Sequence, residues 1–490
     1  MQATRQMPVV LFSMGGKIMT SLRVRVGVLV GLGWLAGQVG ASCPAADKPN
    51  IIFILADDLG YGELGCYGQR QIKTPHLDRM AAEGIRFTDC YAGSTVCAPS
   101  RCALMTGYHT GHARIRGNAL VPLRPEDVTV AEVLERAGYT TALIGKWGLG
   151  EAGTSGIPTK KGFDSFFGYL NQVHAHNYYP DFLWRNETRV PLPNVVPAVK
   201  GHEFGSGVAT KRVVYSHDLF AREALDFVAR HTRTKFFLYL ALTVPHANNE
   251  AKQSGMEVPD LGPYARQAWP APEKGKAAMI GRMDADVGRL MAKLRELGID
   301  EKTVVFFTSD NGPHKEGGVD PGFFHSSGPL QGAKRSLHDG GIREPMLVRW
   351  PGRIAPGRVS DLPWAFWDVL PTLAELAGAK AKTPAGIDGL SVVPTLLGQG
   401  VQKRHEFLYW EFHEGPSQQA VRMEDWKAIR KRPGTRLELY DLRHDLAEQT
   451  DVAARYPEVV SRIEAYLETA RSESEHWPIR DISPKPRGAN

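Results

Sequence analysis

Asn50-Ile51-Ile52-Phe53-Ile54-Leu55-Ala56-Asp57-Asp58 decides the fold of this chain. Its apolar run is too short for an ordinary helix and is rich in β-branched side chains. That is the pattern of a strand covered on both faces. Segments 140–144, 235–242, 303–308 and 346–350 read the same way. Helical spacing separates them at 74–83, 129–137, 217–231 and 277–297. Strands alternating with helices predict an α/β fold, a large and mostly parallel sheet sandwiched by helices. No internal repeat interrupts the pattern.

Lys, Pro and Gly collect between 380 and 402. Beyond them, 405–412, 419–430 and 438–442 predict short antiparallel strands, and 457–471 an amphipathic helix. The expected organisation is a large α/β domain at 48–395, a small C-terminal α+β domain at 400–475, and a tail at 476–490. Residues 1–42 read as a signal peptide: Arg23 and Arg25 precede an apolar run, which ends in Gly40, Ala41 and Ser42. The run is too short and too glycine-rich for a stable membrane span. The protein is therefore expected to be secreted or periplasmic. A lipid anchor on Cys43 is the alternative, although Gly40 fits that signal poorly.

The 490 residues carry a formal charge of +6, but four of the basic residues lie in the leader. Without them 55 basic residues face 53 acidic ones, a balance that gives no sign of nucleic-acid binding. Five cysteines, Cys43, Cys66, Cys90, Cys97 and Cys102, do not make a disulfide scaffold. The spacing of Cys97 and Cys102 is not that of a zinc site.

In open α/β sheets function gathers beyond the carboxyl ends of the strands. Four predicted strands end in reactive residues: Asp57-Asp58, Gly145-Lys146, Val244-Pro245-His246 and Ser309-Asp310-Asn311-Gly312. One such pair is ordinary turn chemistry; four at one sheet edge are not. Asp57, Asp58, Asp310 and Asn311 offer only oxygen, the ligand set of calcium or magnesium. Cys97-Ala98-Pro99-Ser100-Arg101 predicts a helix start, with Cys97 at its positive end and Arg101 one turn on. A thiolate nucleophile is one reading of that placement.

Cys97-x-Pro99-x-Arg101 with Leu104 and Thr106-Gly107 resembles the signature of the type I, formylglycine-dependent sulfatases, the arylsulfatase-like branch of the alkaline phosphatase superfamily. Gly138-Tyr139-Thr140-Thr141 through Gly145-Lys146-Trp147 resembles that family's second signature. Pro245-His246, Asp310-Asn311-Gly312, Lys334 and Gly340-Gly341-Ile342-Arg343-Glu344-Pro345 follow in the family's order, and Leu439-Tyr440-Asp441-Leu442 resembles its C-terminal domain. The resemblance implies a sulfuric ester hydrolase whose Cys97 is converted to formylglycine (3-oxoalanine) by a formylglycine-generating enzyme. It implies one Ca2+ held by Asp57, Asp58, Asp310 and Asn311 beside the group at 97. The hydrated aldehyde would attack sulfur, Arg101 would stabilise it, Lys146 and Lys334 would neutralise the sulfate oxygens, and His246 would protonate the leaving alcohol.

Two positions depart from the pattern. Gly148 stands where the second signature often has a histidine that assists sulfate release, and Tyr108 stands where a basic residue is usual. His174 or His176 is expected to supply the missing group; on a strand both would face one way. With Tyr178 and the aromatics of 169–184 they are also expected to bind substrate, a sulfated carbohydrate. His314, His325 and the polar segment 248–276 are further rim candidates. Two alternatives stay open: a phosphate or phosphonate monoester hydrolase of the same superfamily, and a binding protein that holds sulfated glycan without cleaving it.

Overall fold

The computed structural model describes residues 48–198 and 205–481. The leader and Cys43 lie outside the described residues. The large sheet comprises β1 (Asn50–Ala56), β2 (Ile85–Tyr91), β3 (Thr140–Lys146), β4 (Ser165–Tyr169), β5 (Phe182–Arg185), β6 (Thr188–Pro191), β7 (Phe236–Ala241), β8 (Thr303–Ser309), β9 (Arg343–Arg349), β10 (Arg358–Ser360) and β11 (Trp364–Ala365). Their order is β10-β2-β9-β8-β1-β7-β3-β4-β5-β6, with β11 beside β2. The centre, β8-β1-β7-β3-β4, is parallel throughout. Strand β9 runs antiparallel to both β8 and β2, and β5 and β6 close the far edge as an antiparallel hairpin.

Strand β1 shows why the sheet is covered twice. Ile51, Phe53 and Leu55 enter one apolar cluster, while Ile52, Ile54 and Ala56 enter the other. That is the two-residue period of a strand. The first cluster takes side chains from α2 (Cys97–Thr106), α3 (Val130–Arg136) and α6 (Val369–Leu376). The second takes them from α1 (Pro75–Ala82), α4 (Ser216–Arg230) and α5 (Ala271–Glu296). Helix α5 begins six residues before the sequence spacing suggests, because Pro272 is accommodated in the first turn.

The second sheet has four antiparallel strands: β12 (Leu408–Phe412), β13 (Gln418–Met423), β14 (Trp426–Arg430) and β15 (Glu438–Asp441). The predicted single strand at 419–430 is a hairpin instead, turning at Glu424, whose φ of 54° is left-handed. This sheet is not isolated. Trp410, Phe412 and Ile429 share a buried cluster with Val96 and Ala103 of the α2 segment and with Leu337. Of the expected tail, Trp477 is buried and its indole stands against Gly117.

Buried charges also tie the small sheet down. Glu411 of β12 accepts from Arg116 at 3.1 Å, from Arg471 at 3.0 Å, and pairs with His413 at 3.0 Å. Burial would raise its pKa, but His413, Arg116 and Arg471 outweigh that and bring it from 4.5 to about 2. A depressed carboxylate contributes stability above its unfolded pKa and loses it as the pH falls toward the folded one. Glu411→Gln should therefore cost about 3 kcal/mol at pH 7, with the gap to wild type narrowing between pH 4.5 and 2. Urea unfolding at several pH values measures this; a gap independent of pH would contradict it.

Candidate active site

The carboxyl ends of β1, β3, β7 and β8 converge, and the start of α2 points at them. Asp57 and Asp58 leave β1, Lys146 ends β3, His246 follows β7, and Asp310 and Asn311 follow β8. All are buried, as are Cys97 and Arg101. Asp58 is held at φ 66°, a left-handed conformation that aspartate tolerates better than most residues. Such a conformation persists only when surrounding contacts enforce it. Here the Asp58 amide donates to Asp310 Oδ1 at 3.1 Å, and Asn311 Nδ2 donates to Asp58 Oδ1 at 2.7 Å.

Three cations meet the three acids. Lys146 Nζ donates to Asp57 Oδ2 at 2.8 Å. Arg101 gives two hydrogen bonds to Asp310 Oδ2, at 3.0 and 2.8 Å, and a third to the Lys146 carbonyl. Lys334 Nζ donates to Asp58 Oδ2 at 2.8 Å and lies 3.1 Å from His246 Nε2. Burial opposes ionisation of Asp57, but Lys146, His246 and Arg101 hold its carboxyl well below the usual range. Burial and repulsion from Asp57 push Asp310 up to about 7 in spite of Arg101. Burial also pushes the Cys97 thiol up, against the pull of Lys146, which argues against the thiolate reading.

The acids fit a hard cation. Asp57 Oδ1 and Asn311 Oδ1 are buried without a hydrogen-bond partner, which is costly unless something else satisfies them. Ligand atoms of Asp57, Asp310 and Cys97 all lie within 4.8 Å of one another, as do those of Asp57, Asp58 and His246. A divalent ion among these oxygens would relieve the crowding that raises Asp310.

His246 is set by its neighbours. Nδ1 lies 2.7 Å from the Ala247 carbonyl, so the tautomer that donates there leaves Nε2 as an acceptor toward Lys334. Burial and Lys334 lower its proton affinity well below that of free histidine. Tyr178 braces this loop: its hydroxyl lies 2.6 Å from the Thr243 carbonyl and 2.5 Å from the His246 carbonyl. Tyr178 is thus fully buried and does not offer its hydroxyl to a ligand, contrary to the sequence expectation.

The two histidines of the 169–184 segment separate. They sit on a single 3-10 turn, His174–His176, not on a strand, so they do not share a face. His176 stacks on His246, ring centroids 4.7 Å apart, with Nδ1 3.3 Å from Glu250. His174 is instead buried between Tyr169 and Phe182, and burial lowers its pKa to about 3. Tyr169, Tyr179 and Phe182 are buried too, so this stretch is chiefly packing. His314 lies beneath the site, its ring 5.9 Å from that of His246. His325 lines, with Lys334 and Arg335, an open cavity of about 560 Å³. Within 248–276, Asn248 and Lys276 are engaged in buried pairs with Glu257 and Glu63. Sequence reasoning passed over Asn118, whose Oδ1 lies 3.8 Å from Cys97 Sγ; nothing in its local pattern marks it.

Known proteins resemble this chain in sequence and fold. The Sulfatase family profile matches residues 49–379, and that of the N-sulphoglucosamine sulphohydrolase C-terminal region matches 332–473. Arylsulfatase A of Homo sapiens is 36% identical over 402 residues, covering 76% of this chain and 72% of that protein. N-acetylgalactosamine-6-sulfatase of Rattus norvegicus is 35% identical over 423 residues, covering 82% and 74%. Among solved structures, Ps i-CgsB in complex with k-i-k-neocarrahexaose superposes with a TM-score of 0.73 at 28% identity, covering 88% of this chain and 95% of that one. A family profile over more than half of the chain, and relatives above 30% identity over most of its length, show that the chain belongs to the sulfatase family, the hydrolases of sulfate esters.

Proposed function

We propose that this sulfatase carries a formylglycine made from Cys97, holds one calcium ion between Asp57, Asp58, Asp310 and Asn311, and removes sulfate from a sulfated carbohydrate. The observation that carries the reading is the meeting of Cys97 with Asp57 and Asp310 at the buried start of α2. Calcium would supply positive charge to the sulfate oxygens, and the hydrated aldehyde the attacking hydroxyl. Six oxygens or more suit calcium, and this set contains no nitrogen or sulfur ligand apart from position 97 itself.

The chain's own residues do the rest. Three acids are matched by Arg101, Lys146 and Lys334, so a divalent ion leaves the site positive, which draws in an anionic ester. Arg101, clamped on Asp310, fixes the first turn of α2 and hence position 97. Lys146 and Lys334 stand on two sides to neutralise sulfate oxygens. Lys334 and His246 share a hydrogen bond, and an arriving sulfate raises the proton affinity of that pair, so His246 can pass a proton to the leaving oxygen. His176, stacked on His246, is the better placed of the two histidines to assist. The carbohydrate assignment draws on relatives named for N-acetylgalactosamine-6-sulfate hydrolysis and on the neocarrahexaose complex. The leader supports export, and Cys97 then needs a formylglycine-generating enzyme in the host. Among the described residues no helix is long and apolar enough to cross a membrane.

Protein whose conversion at residue 97 is verified by peptide mass should hydrolyse aryl sulfate far faster than the matched aryl phosphate, and a panel of sulfated sugars should contain a better substrate still. Cys97→Ala should abolish all of it. Preferred turnover of the phosphate would favour the phosphomonoesterase alternative. Calcium added to chelator-treated protein should raise Tm by several degrees, as any ligand of the native state does, and Asn311→Ala should blunt that rise without disturbing the charge pairs. An equal response in the variant would remove Asn311 from the site. His246→Ala should lower kcat by about 10²- to 10⁴-fold on a sugar sulfate and much less on nitrophenyl sulfate, whose leaving group needs no proton. Equal losses on both would deny it the role of acid.

A further inference from the structure

Position 148 cannot supply the group that the second signature usually provides. Gly148 has φ +82°, and a Cβ there would lie 2.8 Å from Gln172 Cγ. A side chain at 148 would therefore have to adopt a left-handed backbone and displace Gln172. Another group faces Cys97 instead. Asn118 Oδ1 lies 3.8 Å from Cys97 Sγ and accepts from the Ala98 amide at 3.1 Å. Its Nδ2 donates to Glu414 Oε1 at 3.2 Å. Glu414, in the loop between β12 and β13, accepts through Oε2 from Arg335 Nε at 2.8 Å. Arg335 also pairs with Glu316, and its own amide bonds the Thr95 carbonyl at 3.1 Å.

These contacts fix which way the amide points. Flipping it would set NH2 against the Ala98 N–H and oxygen against the Glu414 carboxylate, losing both bonds. An acceptor oxygen is thus aimed at position 97. The side chains of Lys146, Arg101 and Lys334 are donors only; they engage Asp57 Oδ2, Asp310 Oδ2 and Asp58 Oδ2, and the unpaired Asp57 Oδ1 is the oxygen that the proposed calcium would take. We propose that Asn118 is the hydrogen-bond acceptor for the hydroxyl carried at position 97, and that Glu414 of the small sheet holds it in place. The proposal rests on the formylglycine reading. An amide oxygen is too weak a base to take the proton. Its part is to orient the O–H, so its loss falls on kcat and spares KM.

The test compares wild type, Asn118→Ala, and Asn118→Asp combined with Glu414→Gln, which reverses the donor while keeping an acceptor oxygen over position 97. Conversion is read by peptide mass, free aldehyde by its rate of reaction with methoxyamine, and kcat and KM on nitrophenyl sulfate. Asn118→Ala should lower kcat about ten- to a hundredfold, the worth of one strong hydrogen bond, with KM nearly unchanged. It should also react faster with methoxyamine, because the hydrate loses its acceptor. The double variant should recover most of kcat. Wild-type kcat and labelling in Asn118→Ala would overturn the proposal, as would a double variant no better than Asn118→Ala. If Asn118→Ala does not fold, the double variant decides alone, near-wild-type kcat supporting the proposal and a tenfold loss overturning it. Wild-type protein that is neither converted nor labelled would fail the formylglycine reading first and this proposal with it.

Discussion

Two buried ion pairs, Lys146 with Asp57 and Arg101 with Asp310, hold the site together. They join β3 to β1 and α2 to β8, across elements far apart in sequence. Removing one partner from such a pair leaves an uncompensated buried charge, which costs several kcal/mol. The same pairs determine chemistry. Lys146 keeps Asp57 charged in a buried interior, while Asp57 Oδ1 and Asn311 Oδ1 have no hydrogen-bond partner. The crowded acids leave unfavourable electrostatics that the proposed ion, with an anionic ester, would relieve.

The sheet exists to bring these groups to one edge. Parallel strands send their carboxyl ends the same way, so Asp57, Lys146, His246 and Asp310 meet without any long-range design in the loops. The helices on both faces exclude water from that edge, and burial is what moves the ionisation of Asp310, Cys97 and His246. The small sheet contributes as well. Its cluster with Val96 and Ala103 supports α2, and Glu414 reaches the mouth of the site through Asn118.

Much of this could be read from the chain, for a physical reason. Ile51 to Ala56 is apolar on both faces, so its end, and hence Asp57-Asp58, could be located with little ambiguity. The same holds for Asp310-Asn311 after β8. What failed was local geometry. His174 and His176 are two apart, and only the 3-10 turn tells that one enters the core while the other meets His246. Tyr178 looked like a ligand group because hydroxyls are; its partners are carbonyls over sixty residues away. The hairpin at 418–430 hides its turn in Glu424-Asp425, which carries no glycine or proline. Asn118 sits in a loop, and its meaning comes wholly from what it touches.

The central claim is that position 97 and a divalent ion share one cage. A crystal structure of the converted protein grown with calcium tests it most directly. The account predicts an ion within about 2.3–2.6 Å of oxygens from Asp57, Asp58, Asp310 and Asn311, with an oxygen rather than sulfur on the side chain at 97. An unmodified thiol in active protein, or an ion bound elsewhere while these four side chains keep to themselves, would contradict it.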